Sequence, residues 1–502
     1  MGEARQQARV RRGDALANVG RGLDAARAYA DAAANATGQI ELDLRRRVAE
    51  QLLNAGRFDE GEAALRRVLA GVGLALPRSP ITALIGLLLA RFVLWLRGMR
   101  VTLREESEVP PAELTRLDAC AGVAELMGTV DTIRGAYFQT KTLIYALSAA
   151  EPSRLAHALA LEATFLTGTG PRNAPRAERI FQRAEALADR LGGTHARGTI
   201  AGSRGFSQFC QGRFAEALRL SDEAVKLLRQ QAVGTFWDLR LSQLVGIWTL
   251  SWRGELAELA ERVDLRVREA DARGDLYGAT CLRAGPPSIA SLRGDDPERA
   301  RAVVTTAMRD WTQCGYHNQH YWELLALGQI DLYEGKGGAA YARVTAQWPQ
   351  MKRSLMLEVQ IIRIEATHLR ARAAVAAALE DPARKAELLR AARRDARWLT
   401  RCGAEYAVPL GEHVQASIAA MEGKADVARA RLESALPRFE RLSMHLHAEA
   451  VRWRLGHAIG ATAAAGKAHV DAAEAWMRRQ GVVSTRRMVA MVSPAPAESR
   501  DA

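Results

Sequence analysis

The six residues Gly212-Arg213-Phe214-Ala215-Glu216-Ala217 predict a turn between two packed helices. Glycine adopts the left-handed conformation that commonly ends a helix. Glu216 lies where its charge complements the N-terminus of the following helix. Ala217 is small enough to let two helices approach closely, and Phe214 can fill the space between neighbouring hairpins. We therefore expect a helical hairpin whose turn is centred on Gly212.

The same pattern recurs along the chain, with a glycine followed by a polar residue and then a helix rich in small residues. Comparable turns stand at Gly20, Gly56, Gly254, Gly294, Gly335 and Gly423. Between Gly212 and Gly335, successive turn glycines are about 41 residues apart, a spacing typical of helical repeat units. Asp381-Pro382 stands midway between Gly335 and Gly423, so we expect the missing turn there.

These hairpins predict a stacked array, because one hairpin cannot bury its apolar face alone. Hydrophobic residues make up 48% and charged residues 25% of the 502 residues, and most of them are good helix formers. The fold class we predict is all-α: a tetratricopeptide-like α-solenoid, a right-handed superhelix of antiparallel helix pairs. We expect a helix content well above the average of about one third, and a concave face open to a ligand.

Departures from the repeat suggest domain boundaries. Residues 1–70 are expected to form N-terminal helical hairpins, and residues 71–115 a helical insertion or joint, since four prolines interrupt the rhythm there. Residues 116–490 are expected to form the main array. Residues 491–502 have the composition of a disordered tail.

One apolar segment, ITALIGLLLARFVLWL at 81–96, needs separate consideration. It has 16 residues and contains Arg91, whereas a membrane-spanning helix needs about 20 apolar residues. We therefore expect no membrane span. Arg91, Arg97 and Arg100 would suit a helix lying on a membrane surface, but the favoured interpretation is a buried helix of the array.

The charge and cysteine content bear on partners and location. The formal net charge of +13 comes nearly all from arginine, and the arginines are spread along the chain beside acidic residues. A nucleic-acid-binding protein concentrates basic residues on one surface, so nucleic acid is a disfavoured partner. The five cysteines are far apart and form no C-x-x-C motif, which disfavours disulfides and zinc knuckles. The N-terminus lacks the apolar core of a signal peptide, so we expect a cytoplasmic location.

The sequence contains no phosphate-binding loop, kinase motif, hydrolase elbow or H-E-x-x-H motif. We therefore predict no catalytic centre and no cofactor for this chain. His317 and His320 have the spacing of helical metal ligands, but no acidic or cysteine ligand matches them, so a metal site is disfavoured. Aromatic and histidine side chains are instead candidates for core packing or for a ligand-binding wall on the concave face. These candidates are Trp237, Trp248, Trp252, His317, His320, Tyr321 and Trp322.

Several segments resemble the C-terminal helical region of large bacterial serine/threonine protein kinases. They include EVPPAEL at 108–114, VDTIRGA at 130–136, AEP at 150–152, GELAEL at 254–259, QIDLY at 329–333 and WP at 348–349. In that family, a kinase domain and a signal-transduction-type ATPase module precede the repeat region. The resemblance extends from about Arg12 to Met477 and implies the repeat architecture. Because this chain contains neither module, the resemblance implies no catalytic residue.

Three functions compete on these grounds. The leading hypothesis is a non-catalytic interaction and regulatory module, a sensor or scaffold, of a bacterial kinase–ATPase signalling system. Its partner would be a protein or peptide, with a kinase or ATPase module in cis or trans, or a small effector, as the candidates. The first alternative is the C-terminal part of an intact serine/threonine protein kinase. The second is a transcription regulator of the ATPase–repeat class, although residues 472–492 are too short for a whole DNA-reading domain.

Overall fold

The structure is a computed structural model and describes residues 2–128, 130–230, 236–311 and 315–496. The chain is 82% helical, and the described ranges contain no strand. The α-helices are α1 Gly2–Asn18, α2 Gly22–Ala33, α3 Gly38–Asn54, α4 Phe58–Gly71, α5 Pro80–Arg97, α6 Pro111–Gly128, α7 Thr132–Ala149, α8 Pro152–Gly168, α9 Ala174–Leu191, α10 Thr194–Cys210, α11 Phe214–Arg229, α12 Phe236–Arg253, α13 Leu256–Arg273, α14 Leu276–Ala284, α15 Pro297–Arg309, α16 Asn318–Tyr333, α17 Gly337–Arg353, α18 Gln360–Glu380, α19 Lys385–Leu399, α20 Ala407–Met421, α21 Ala425–Arg441, α22 His445–Ile459, α23 Ala464–Arg479 and α24 Thr485–Val492. Short 3₁₀ helices are Glu106–Glu108, Pro171–Asn173, Pro286–Gly294, Met356–Glu358 and Pro382–Arg384. The predicted all-α class is confirmed.

The predicted turns fall where helices end. The glycines with left-handed φ angles of +73° to +82° include Gly20, Gly56, Gly212, Gly254, Gly335 and Gly423. At the turn predicted at Gly294, the next residue, Asp295, takes the left-handed conformation instead, with φ +61°. The missing turn is at Asp381, whose side chain accepts hydrogen bonds from the backbone amides of Ala383 and Arg384. The period that we derived from the glycines is therefore confirmed.

Within the described residues, consecutive helices form eleven antiparallel pairs, from α1–α2 to α22–α23, with α5 outside the pairing and α24 at the end. From the fourth pair onward, the first helix of a pair, such as α18, is buried around most of its circumference. The second helix is amphipathic. In α11, the buried residues recur at steps of three and four, from Phe214 through Ala217 to Leu228, and its other face is polar. The array therefore has an inner layer of first helices and an outer layer of second helices.

The superhelix winds so tightly that its successive turns touch. The turn inside each of the first seven pairs packs against the start of the helix five pairs further on. Gly212 lies against Tyr406 and Gly254 lies against Leu446. The backbone amide of Val483 donates to the carbonyl oxygen of Arg293. In the same contact Arg487 forms an ion pair with Asp295, which is 192 positions earlier in the chain. Five helix pairs therefore complete one turn of the superhelix.

This winding leaves the inner face filled, which contradicts our expectation of an open concave face over the helices concerned. Trp248 of α12 contacts Trp322 of α16, two pairs further on, with ring centroids 5.3 Å apart. His368 of α18 and His447 of α22 approach to 5.6 Å in the same way. Large side chains thus meet across the superhelix axis. The physical reason is that five pairs per turn leave room for side chains but not for a bound segment.

The disordered tail that we predicted for residues 491–502 does not begin at residue 491, because the first residues of this range are ordered. Helix α24 continues to Val492, and Met491, Val492 and Ser493 are each at most 3% exposed. The carbonyl oxygen of Met491 accepts a hydrogen bond from Arg372 at 2.9 Å, and that of Ser493 accepts from Arg454. Helix α24 takes the inner position of a twelfth pair, so its apolar residues are core. Residues 497–502 lie outside the described residues.

The apolar helix α5 also differs from our favoured interpretation, because it is largely exposed. Only 17% of it is buried, and by length and composition it could cross a membrane. Ala83, Ala90 and Leu94 face the protein, where α5 packs against α7, while α3 contacts α6 directly. Its outward side chains form what we call the apolar stripe, which comprises Ile81, Ile85, Leu88, Leu89, Phe92, Val93, Trp95 and Leu96.

Candidate functional site

A cavity of about 300 Å³ opens between α12, α13 and α14, at the end of α11. Its walls combine four arginines with two carboxylates and an apolar floor. The polar lining residues are Arg229, Arg240, Gln243, Arg266, Glu269, Arg273 and Asp275. The apolar lining residues are Phe236, Leu239, Leu244, Ile247, Ala270 and Leu282. We call this cavity the arginine pocket.

Arg240 is the buried member of the arginine pocket, with 8% of its surface exposed. One of its terminal nitrogens donates to both carboxylate oxygens of Asp275, at 3.0 and 2.9 Å, and to the backbone carbonyl of Asn54 at 3.0 Å. The guanidinium also lies 4.5 Å from the centroid of the Trp237 ring and 4.7 Å from that of Tyr277. These contacts fix the position of a cation that would otherwise be costly to bury.

The sequence sets up this arrangement locally. Asp275 caps α14 by accepting a hydrogen bond from the backbone amide of Gly278 at 2.8 Å, which orients its carboxylate. Arg240 lies one turn into α12, and Asn54 comes from the second helix pair, which contacts this region because of the superhelical winding. The Nε atom of Arg240 is buried and has no hydrogen-bond partner among the described residues.

The other three arginines differ in how their charges are balanced. Arg266 forms an ion pair with Glu269 on the same helix. Arg273 lies against the Phe236 ring, 5.7 Å from its centroid, and forms no ion pair among the described residues, and the same holds for Arg229. Four guanidinium groups therefore face two carboxylates. The excess positive charge beside an apolar wall suits a ligand that carries one anionic group on an apolar body.

The predicted site residues do not form one common site, and most of them pack as core. Trp237 contributes to the arginine pocket indirectly, through its contact with Arg240. Trp252 stacks on Phe214 with ring centroids 5.3 Å apart and also meets Tyr406. Trp248 and Trp322 contact each other near the superhelix axis.

Tyr321, His317 and His320 lie at the start of α16. The Tyr321 hydroxyl donates to Glu365 at 2.7 Å, and its side chain is completely buried. The Nδ1 atom of His320 accepts from the backbone amide of His317 at 3.0 Å, which caps the helix. Burial, with His320 and Arg134 nearby, lowers the pKa of His317 to about 4. In this structure the two histidines therefore act as helix-capping and packing residues.

Sequence reasoning missed the arginine pocket because its members are separated along the chain and resemble the other arginines. Arg266 and Arg273 are two helical turns apart and so share a face of α13, which was the only local signal. Arg240 could not be singled out, because its partners Asp275 and Asn54 are brought to it by helix packing and by the superhelical return.

Together, the helix pairing and the superhelical return define an all-α, solenoid-like helical repeat protein. No family model matches the sequence, and no curated protein matches it. Among solved structures, the chain is similar to the crystal structure of a Rap protein complexed with competence and sporulation factor. That match has a TM-score of 0.41 and 11% identity, and it covers 88% of this chain and 99% of the other. A similarity of this size says nothing about ligand or partner.

Proposed function

We propose that this chain is a non-catalytic interaction and regulatory module that binds an anionic segment of a protein partner in the arginine pocket. The observation that carries the proposal is the excess positive charge of a cavity lined by four arginines and two carboxylates, beside a buried Arg240 that Asp275 and Asn54 hold in place. Guanidinium groups suit carboxylates and phosphates because their donors match the geometry of those anions.

A peptide fits these dimensions better than nucleic acid does. The pocket is a single cavity with an apolar wall, whereas a nucleic-acid surface needs basic groups along a groove or stripe. On the outer helices, many arginines are engaged by neighbouring carboxylates. Arg219 pairs with Glu216 and Glu223, and Arg262 pairs with Asp222 and Glu258. A peptide carrying an aspartate, a glutamate or a phosphorylated side chain would use the local excess of charge.

The pocket is also connected to the superhelical return, which gives binding a route to regulation. The guanidinium of Arg240 contacts Asn54, in the turn of the second helix pair, and Asp275, at the start of the seventh. An anion that draws this guanidinium toward the cavity would weaken its bond to Asn54. Ligand binding would then change the contact between successive turns of the superhelix, and so act as a signal.

We propose a kinase or ATPase module as the partner, in cis or in trans, and a cytoplasmic location. The sequence segments that resemble kinase-associated repeat regions support this assignment. Sequencing the DNA upstream of Met1 in frame distinguishes the two arrangements. An uninterrupted kinase and ATPase coding region would mean that the partner is attached, and a nearby stop codon would mean that it is separate.

The binding proposal is tested with peptides of matched hydrophobicity that are acidic, phosphorylated or neutral. Binding is measured on an array, and the best sequences are then followed by fluorescence anisotropy. We expect acidic or phosphorylated peptides to bind, and Arg273→Gln to weaken binding about tenfold, as expected for one charge-assisted contact. Arg268→Gln is the matched control, because Arg268 is exposed on the same helix and does not line the pocket. Equal binding of neutral peptides, or equal loss in both variants, would contradict the proposal.

A further inference from the structure

The apolar stripe on α5 is unusual in size and in its lack of charge. Trp95 is 74% exposed, Ile81 67% and Leu96 64%. With the other members, the stripe presents on the order of 1,000 Å² of apolar surface, where the largest patch on a soluble monomer is usually a few hundred Å². No charged residue lies among its exposed positions from Ile81 to Leu96. Such a surface requires a cover.

The one charged residue within that segment is turned toward the protein. Arg91 forms an ion pair at 2.5 Å with Glu162 of α8, whose side chain is 1% exposed, and approaches Gln139 of α7. Ala83, Ala90 and Leu94 pack on the same side. Crossing a bilayer would break this ion pair and strip α7 of its cover, so α5 keeps its place against the array and presents the stripe sideways.

Unpaired arginines flank the stripe. Arg78 precedes it, and Arg97 and Arg100 follow it, with Arg104 and Arg183 close by in the fold. Among the described residues, none of these five forms an ion pair with a carboxylate. The hydrogen bonds that Arg97 donates go to the backbone carbonyls of Gly98, Arg100 and Leu147, and Arg183 donates to that of Met99. An apolar face with cations at both ends is complementary to a surface with an apolar interior and anionic groups at its boundary.

A second copy of the chain is a poorer fit. Helices that pair through an apolar seam usually carry charged residues beside it, which set the register and the partner. In α5 the seam of Ile85, Leu88 and Phe92 is bordered by Leu89 and Leu96 instead. This widens the apolar face and supplies nothing to fix a register, as is expected of a helix that faces a continuous apolar medium.

We infer that α5 docks this protein on the surface of an anionic lipid bilayer. The helix lies in the plane of the membrane, with the apolar stripe, apart from Trp95, among the acyl chains. Arg97 and Arg100 contact lipid phosphates, and Trp95 lies at the headgroup boundary, where tryptophan is favoured. Docking would bring the arginine pocket and its bound partner to the membrane. The inference itself does not depend on the function of that pocket.

The test is co-sedimentation of the full chain with phosphatidylcholine vesicles, with and without 30% phosphatidylglycerol. We expect binding to the anionic vesicles, a loss of at least tenfold for Leu88→Glu and Trp95→Glu, and about fivefold weaker binding for Arg100→Gln. Leu265→Glu is the matched control, because Leu265 is a 42% exposed leucine on an outer helix. Since all four positions are exposed, circular dichroism should show unchanged folding.

Three results would overturn the inference. The first is the absence of binding to anionic vesicles by the folded chain. The second is a dimer, seen by light scattering, that Leu88→Glu dissociates and that does not bind vesicles, because a second copy would then cover the stripe. The third is an equal loss of vesicle binding in Leu265→Glu, because added negative charge, rather than the stripe, would then set the binding.

Discussion

Replacing Gly254 by alanine should test whether successive turns of the superhelix touch. A Cβ atom at this position would lie 2.3 Å from the Cβ atom of Leu446 and 2.7 Å from its backbone nitrogen. Backbone atoms at the start of α22 cannot move aside as a flexible side chain can. The substitution should therefore separate two segments that lie five helix pairs apart, and the cost should appear as lower stability.

The loss of stability in Gly254→Ala has two contributions, backbone strain and displaced packing, and a control variant separates them. Gly254 and Gly335 both have φ +76°, and a Cβ atom at Gly335 would meet nothing within 4 Å. Gly335→Ala should therefore cost only the left-handed strain, about 1 kcal/mol. Gly254→Ala should cost that strain plus about 1–3 kcal/mol for the displaced packing, which is roughly 2–4 kcal/mol in total.

The assay is urea unfolding followed by circular dichroism and tryptophan fluorescence, with amide hydrogen exchange to localise the effect. Faster exchange should appear at the start of α22 in Gly254→Ala and stay unchanged there in Gly335→Ala. Equal loss of stability in the two variants would refute the closed winding, because the contact with Leu446 would then be absent in solution. Gly212→Ala, which meets the buried Tyr406 ring, provides an independent repetition.

Two further predictions concern buried charges. Asp275→Ala should destabilise the protein by about 3–5 kcal/mol because it leaves Arg240 buried without its carboxylate, whereas Glu216→Ala, in an exposed pair, should cost less than about 1 kcal/mol by the same urea assay. Burial, with two arginines nearby, lowers the pKa of His413 to about 3. The stabilisation that neutral His413 gives the folded protein is therefore complete above the pKa of the unfolded chain, near 6.5. Below that pH it falls by about 1.4 kcal/mol per pH unit, because the unfolded chain takes up a proton that the folded protein does not. The stability difference between the natural chain and His413→Asn should accordingly narrow from pH 6 to pH 5, and a constant difference would contradict a neutral buried imidazole. Burial raises the pKa of Glu365 to about 7, so this residue makes the folded protein more stable as the pH falls from about 7 to 4.5. Both proteins contain Glu365, so its effect cancels when their stabilities are compared.

The sequence predicted the helix pairs well because their signals are local. Each turn depends on a few neighbouring residues, such as Gly212 with Phe214 two positions later, and α11 begins at that phenylalanine. The exposure of α5 was not predictable in this way. A largely apolar run of 16 residues is compatible with a core helix and with a surface helix. The structure distinguishes these two cases, because the side chain of Arg91 points inward to Glu162 and the apolar side chains point outward.

The tight winding was the least predictable feature, because it results from a small rotation between neighbouring pairs that adds up over five of them. That rotation is set by many side chains together, and none of them has a distinctive spacing. An open concave face therefore does not follow from a helical repeat alone. It requires that the rotation per pair be small enough to leave a channel wider than two side chains.

One sequence feature does accompany the contact between successive turns of the superhelix. A bulky residue meets each of several turn glycines five pairs later: Phe236 at Gly20, Leu276 at Gly56, Tyr406 at Gly212 and Leu446 at Gly254. The glycine thus serves two purposes, since it allows the left-handed turn and also leaves the space that the bulky residue occupies. Gly335 and Gly423 have no such neighbour, as expected for late turns, which no helix five pairs further on can reach. Pairs of turn glycine and bulky residue separated by a constant number of repeats would therefore distinguish closed arrays from open ones.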